Sequence, residues 1–161
     1  MRRKYWMAFY DVKKAAFYYQ LYGVSASRWG KAISVICTAL SAGFVASCYF
    51  SKTFPTLWAF LTLACQLVLA YQPFSPFSER ETAAEYIFQD MNALALEAEK
   101  TWGLVQQTAD KETIARCTDE LRTRQDAIEE RFATVATFPM NSFIRKKAEK
   151  KANEYFRRFE Q

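Results

Sequence analysis

Residues 32–51 read AISVICTALSAGFVASCYFS, and residues 53–78 read TFPTLWAFLTLACQLVLAYQPFSPFS, with Lys52 alone between them. The first run holds 20 residues without a charge and the second 26. At about 1.5 Å of rise per residue, a helix of the shorter run reaches roughly 30 Å, the thickness of a hydrocarbon core. Backbone in lipid must satisfy its own hydrogen bonds, so such runs are expected to be helical. Ser51-Lys52-Thr53-Phe54-Pro55 allows only a tight turn, with Pro55 suited to the first turn of the second helix. The expectation is an all-α membrane protein with a two-helix transmembrane hairpin, spans at about 31–51 and 54–74. A buried hairpin in a soluble domain is the rival reading. It is disfavoured by the length of the uncharged second run.

Outside the hairpin (28–78), the chain divides into an N-terminal amphipathic helix (1–27) and a cytoplasmic three-helix region (79–161). Residues 1–31 carry seven basic side chains against Asp11, whereas the hairpin turn offers only Lys52. Basic flanks stay on the cytoplasmic side, so both termini are expected there, in a multi-pass protein of the plasma membrane. MRRKYWMAFYDVKK is interrupted by Asp11, Lys13 and Lys14 before any apolar signal core forms, and Met1-Arg2 excludes myristoylation. Cys37, Cys48, Cys65 and Cys117 show no CxxC spacing and read as small apolar residues.

Tyr5, Phe9, Val12, Ala16 and Tyr19 recur at helical spacing, and Trp6, Tyr10, Phe17 and Tyr22 widen that face. This helix either lies at a membrane surface or packs on the cytoplasmic region, the wide aromatic face favouring packing. Gly23-Val24-Ser25-Ala26-Ser27 is expected to break it, and Arg28, Trp29 and Lys31 to mark the start of the first span. After residue 79, the seam Ile87, Met91, Leu94, Ala98, Trp102, Val105 is near-heptad and suggests a bundle or coiled coil. A second helix follows over about 111–136, with Ile114, Cys117, Leu121, Ile128, Phe132 and Val135 inward. Asn141 is a suitable N-cap for a last helix with Ile144, Ala148, Ala152, Tyr155 and Phe159 inside.

The chain contains no histidine, which removes Ser-His-Asp triads, most zinc sites and the usual general base near neutral pH. Four glycines, at 23, 30, 43 and 103, cannot build a phosphate loop. No enzyme is expected, and no cofactor or metal.

Two groups of residues carry the functional expectations. Ser34, Thr38 and Ser41 in the first run, with Thr62 and Gln66 on one face of the second, form polar stripes. They either bond helix to helix or line an aqueous path. One hairpin cannot enclose a pore, so the second option requires a homo-oligomer, a tetramer being favoured. The other group is basic: Lys13, Lys14, Arg145, Lys146, Lys147, Lys150, Lys151, Arg157 and Arg158, with Tyr155 among them. It is either a solvated or lipid-facing cationic surface, or a site for a nucleotide or short oligonucleotide.

Lys14-Ala15-Ala16-Phe17-Tyr18-Tyr19, leading through Arg28-Trp29-Gly30-Lys31 into an apolar run, a short turn, a second run and long helices, resembles the SLATT family over residues 10–110. These are two-transmembrane effectors associated with SMODS nucleotidyltransferases and SLOG sensors in bacterial conflict systems. The resemblance implies a pore-forming anti-phage effector in the bacterial inner membrane, controlled by a nucleotide signal from a partner nucleotidyltransferase. Two alternatives stand beside it: a non-enzymatic membrane scaffold that recruits a cytoplasmic partner, and a ligand-independent holin-like toxin.

Overall fold

The computed structural model describes the chain apart from residues 51–54, 72–75, 108–109, 134–137, 139–140 and 160–161. Side chains of 40–50, 55, 57–59, 62, 76–78 and 133 also lie outside the described set. The described residues form helices α1 (Arg2–Phe50), α2 (Pro55–Tyr71), α3 (Pro76–Gln107), α4 (Lys111–Ala133) and α5 (Ser142–Phe156), followed by a 3₁₀ turn, Arg157–Phe159. An all-α chain is what the sequence leads one to expect. Its membrane-spanning character is not supported. Among the described residues, no helix is long and apolar enough to cross a membrane.

The correction has a physical basis in each helix. α2 holds 17 residues, about 25 Å at helical rise, which falls short of a hydrocarbon core. α1 is long, but its first 31 residues carry Asp11 and seven cations, and the described side chains of its uncharged run reach only Ala39. The expected transmembrane hairpin, the inner-membrane placement and the channel built on them are therefore not supported. The expected turn over 51–55 lies outside the described residues apart from Pro55, the first residue of α2.

A second difference lies at Gly23–Ser27, where α1 continues without a break. One glycine costs about 1 kcal/mol relative to alanine in a helix interior. Without a proline or a left-handed residue nearby, that is too little to end a helix, and no described residue has a positive φ.

The chain forms two compact units, Met1–Gly23 with Thr82–Gln161, and Val24–Glu81. The core of the first unit follows the periodicities of the sequence. Tyr5, Phe9, Val12 and Ala16 of α1 are buried with Ile87, Met91, Leu94 and Ala98 of α3. Ile114 and Leu121 of α4 and Phe156 of α5 complete the cluster. The N-terminal aromatic face is thus core and not a membrane-surface face. The near-heptad seam of α3 is likewise satisfied within the chain.

Trp6 stands at the centre of an aromatic cluster, with ring centroids 4.8 Å from Trp102 and 4.9 Å from Phe156. Phe9 meets Phe156 edge-on at 4.9 Å. The sequence placed Phe159 inside, but Phe156 takes that position and Phe159 is partly exposed. Phe159, on the 3₁₀ turn beyond α5, still meets the Trp6 ring edge-on at 5.9 Å.

Helix ends are set locally. The Asp110 carboxylate accepts from the backbone N–H groups of Glu112 and Thr113, at 3.1 and 3.0 Å, and opens α4. Asn141 does the same for α5, accepting from Phe143 N at 3.0 Å and Ile144 N at 3.3 Å. In the second unit, Cys37 of α1 and Cys65 of α2 are buried, while Val35, Phe60, Leu63, Leu67 and Tyr71 are exposed.

Candidate anion-binding surface

α5 has two faces of opposite character. Ile144, Ala148, Ala152 and Phe156 are buried, a four-residue spacing that lays one stripe against the core. The other side exposes Lys146, Lys147, Lys150 and Lys151, and Arg157 and Arg158 follow on the 3₁₀ turn. Over residues 142–159 seven cations face only Glu149 and Glu154. Small alanines inward let the helix sit close to its neighbours, which pushes every long cationic side chain outward.

The structure divides the expected basic site. Lys13 belongs to the interior: it is 6 % exposed, and its ammonium donates to Asn92 Oδ1 at 3.1 Å. The same Nζ lies 4.6 Å from the Tyr155 ring centroid and 5.6 Å from that of Phe17. Burial holds its pKa below the usual lysine value, with the Glu99 carboxylate pulling the other way. The Tyr155 hydroxyl donates to Glu99 Oε2 at 2.5 Å, and burial followed by that carboxylate raises its pKa. Lys13 and Tyr155 therefore join α1, α3 and α5, Lys13 buried and Tyr155 half-buried.

The remaining cations are on the surface, tethered weakly. Lys14 pairs with Asp11 at 3.0 Å, and Lys150 approaches Glu154 at 3.9 Å. Lys147 lies over the exposed Phe143 ring at 4.5 Å, and Lys151 over Phe17 at 5.8 Å. Exposed pairs of this kind contribute at most about 1 kcal/mol each, so a phosphate can replace them at little cost.

Sequence reasoning missed a second feature of this unit. A groove of about 750 Å³ opens between α1, α4 and α5. Tyr18, Tyr19 and Phe138 form an aromatic wall, and Lys14, Arg122 and Arg145 supply cations from the three helices. The Tyr19 and Phe138 rings meet edge-on at 5.5 Å, and Tyr18 and Tyr19 at 5.5 Å. Burial pushes the Tyr19 phenol up to about 12, with the Glu129 carboxylate adding to the effect. No sequence spacing announces this site, because its residues come from positions 14 to 145 and share no helix period.

The polar stripes assigned to a pore are described only in part. Ser34 is half-buried, Thr38 and Gln66 are exposed, and the side chains of Ser41 and Thr62 lie outside the described residues. Among the described residues of that unit, Cys37 and Cys65 are buried. With no membrane-crossing helix among the described residues, a conduit along these stripes loses its premise. Among the described residues there is also no group of three or more His, Cys, Asp or Glu able to hold a metal ion. No family model, no curated protein and no solved structure matches this chain.

Proposed function

We propose that this chain is a non-enzymatic recognition protein that binds a phosphate-bearing ligand, a nucleotide or short oligonucleotide, on the basic face of its first unit. The observation that carries the reading is the outer face of α5, where Lys146, Lys147, Lys150 and Lys151 are exposed while the opposite stripe is core. The net charge of +5 supplies a favourable long-range field for an anion. Aromatic rings beside the cations, Phe143 under Lys147 above all, offer stacking surfaces for bases. The resemblance to SLATT proteins is the source of one further element, a partner nucleotidyltransferase that makes the ligand.

The second unit supports self-association. Val35, Phe60, Leu63, Leu67 and Tyr71, all within the two uncharged runs, are exposed, and apolar surface of this extent on a protein is normally covered. A second copy of the chain offers the same uncharged surface, so the homo-oligomer is retained as part of the reading.

The binding claim is tested by fluorescence anisotropy of a labelled ten-nucleotide single strand titrated with the purified chain at increasing salt. Binding that weakens steeply with salt, and is lost on reversing Lys146, Lys147 and Lys150 to glutamate, is expected. Affinity unchanged by the triple reversal would return α5 to an ordinary solvated face. For assembly, light scattering should report a multimer that Phe60→Lys with Leu67→Lys dissociates. A monomer that partitions into lipid vesicles instead would overturn the homo-oligomer.

A further inference from the structure

The groove between α1, α4 and α5 differs in chemistry from the α5 surface, and that difference identifies a ligand. The outer face of α5 and its 3₁₀ turn carries six cations, Lys146, Lys147, Lys150, Lys151, Arg157 and Arg158, against Glu149 and Glu154, whereas the groove mixes three cations with Asp11, Asp126 and Glu129. A long polyanion would meet those carboxylates along its length. A small molecule with one phosphate and a ring rich in N–H donors would not. Two of the three carboxylates are already engaged: Asp11 with Lys14 at 3.0 Å, and Glu129 with the Gln125 amide at 3.1 Å. Asp126 remains on the wall, one helical turn from Arg122 along α4. Arg122 and Arg145 are exposed and take part in none of the ion pairs described.

Resting on the reading of the first unit as a phosphate-ligand binder, we infer that this groove takes a single nucleoside monophosphate unit with a guanine-type ring. The cavity, about 750 Å³, falls in the size range of small-molecule sites. Arg122 and Arg145 receive the phosphate, as guanidinium groups match its oxygens in a bidentate way. Tyr18 and Tyr19 offer ring faces and edges for the base. An ionised carboxylate only accepts hydrogen bonds, so Asp126 selects a ring edge that donates, the adjacent ring N–H and amino group of guanine. Adenine presents an acceptor nitrogen beside its amino group and leaves one carboxylate oxygen unanswered.

The test is calorimetric titration of the purified full chain with GMP, AMP and inorganic phosphate, alongside the ten-nucleotide strand. GMP is expected to bind at least fivefold more tightly than AMP and tenfold more tightly than phosphate. Arg122→Glu should weaken GMP at least tenfold, Arg122→Gln less, and Asp126→Asn should erase the preference for GMP over AMP. The thermal midpoint of each variant checks that it is folded. The triple reversal on Lys146, Lys147 and Lys150 should weaken the strand while leaving GMP within threefold.

GMP binding that ignores Arg122→Glu, equal affinity for AMP and GMP, or phosphate that competes as well as GMP would each overturn the groove assignment. Strand binding that persists while GMP fails sinks the groove alone. Loss of both sinks the underlying reading as well.

Discussion

The Lys13 ammonium donates a 3.1 Å hydrogen bond to Asn92 Oδ1, tying α1 to α3 across 79 residues of chain. A long cationic side chain is ordinarily at the surface, and here its head lies against the Tyr155 and Phe17 rings. The sequence shows Lys13 and Lys14 as an equivalent pair. The fold gives them opposite tasks, one internal and one on the wall of a groove.

Substitution should separate those tasks. Lys13→Ala removes the bond to Asn92 and two cation–π contacts, and is expected to lower stability by about 1–3 kcal/mol, read by urea denaturation. Lys14→Ala should stay within about 0.5 kcal/mol, since it loses an exposed pair with Asp11 and a surface contact with the Tyr10 ring at 5.5 Å. Equal stability losses at both positions would contradict the internal placement of Lys13.

Alkaline pH should unfold the first unit earlier than its charge pattern suggests. Burial raises the Tyr5 and Tyr19 phenols to about 12, and Tyr155 is raised as well. In each case the folded chain holds a proton that the unfolded chain releases near its ordinary value of 10.0. Their stabilisation is therefore complete below pH 10 and is lost as pH rises toward 12. Lys13 works in the opposite sense, its lowered pKa easing a penalty as pH rises, but it is one group against four, since burial raises the Tyr10 phenol as well. Thermal midpoints measured from pH 8 to 12 should fall, and Tyr19→Phe should flatten part of the slope.

The aromatic cluster is the costliest place to cut. Phe156 is 5 % exposed and touches Trp6, Phe9 and Tyr10 with ring centroids at 4.9, 4.9 and 5.3 Å. Phe156→Ala is expected to cost about 3–5 kcal/mol, and Phe159→Ala clearly less. Denaturation curves of the two variants check this, and equal costs would contradict the deeper burial of Phe156.

Asn141 is exposed, yet its side chain holds two N–H groups at the start of α5. Asn141→Ala should cost about 1 kcal/mol, and Asn141→Asp should be nearly neutral, since both side chains cap. Hydrogen exchange confined to residues 143 and 144 would localise the loss.

Much of the fold was legible because helix period and burial are two views of one geometry. Residues three and four apart share a face, so Tyr5, Phe9, Val12 and Ala16, like Ile87, Met91, Leu94 and Ala98, announce core without any knowledge of their partners. Asn141 as a cap was equally legible, since it needs only the two amides that follow it. The exposed lysines of α5 follow from the same period. Length of apolar sequence was the weaker guide. An uncharged run states that water is avoided but not what replaces it, and α2 at 17 residues is shorter than the uncharged run that contains it.

By itself, then, the sequence determined the helical class, the buried faces of the first unit and the basic character of α5, because each depends on residues within a few positions of one another. Only the tertiary structure decided that Lys13 and Tyr155 are internal and that Arg122, Tyr18 and Phe138 share a groove. Those outcomes depend on which helix faces meet across long gaps in the chain, 79 residues for Lys13 with Asn92 and 56 for Tyr155 with Glu99. Such meetings are set by the packing of whole faces, and no local spacing encodes them.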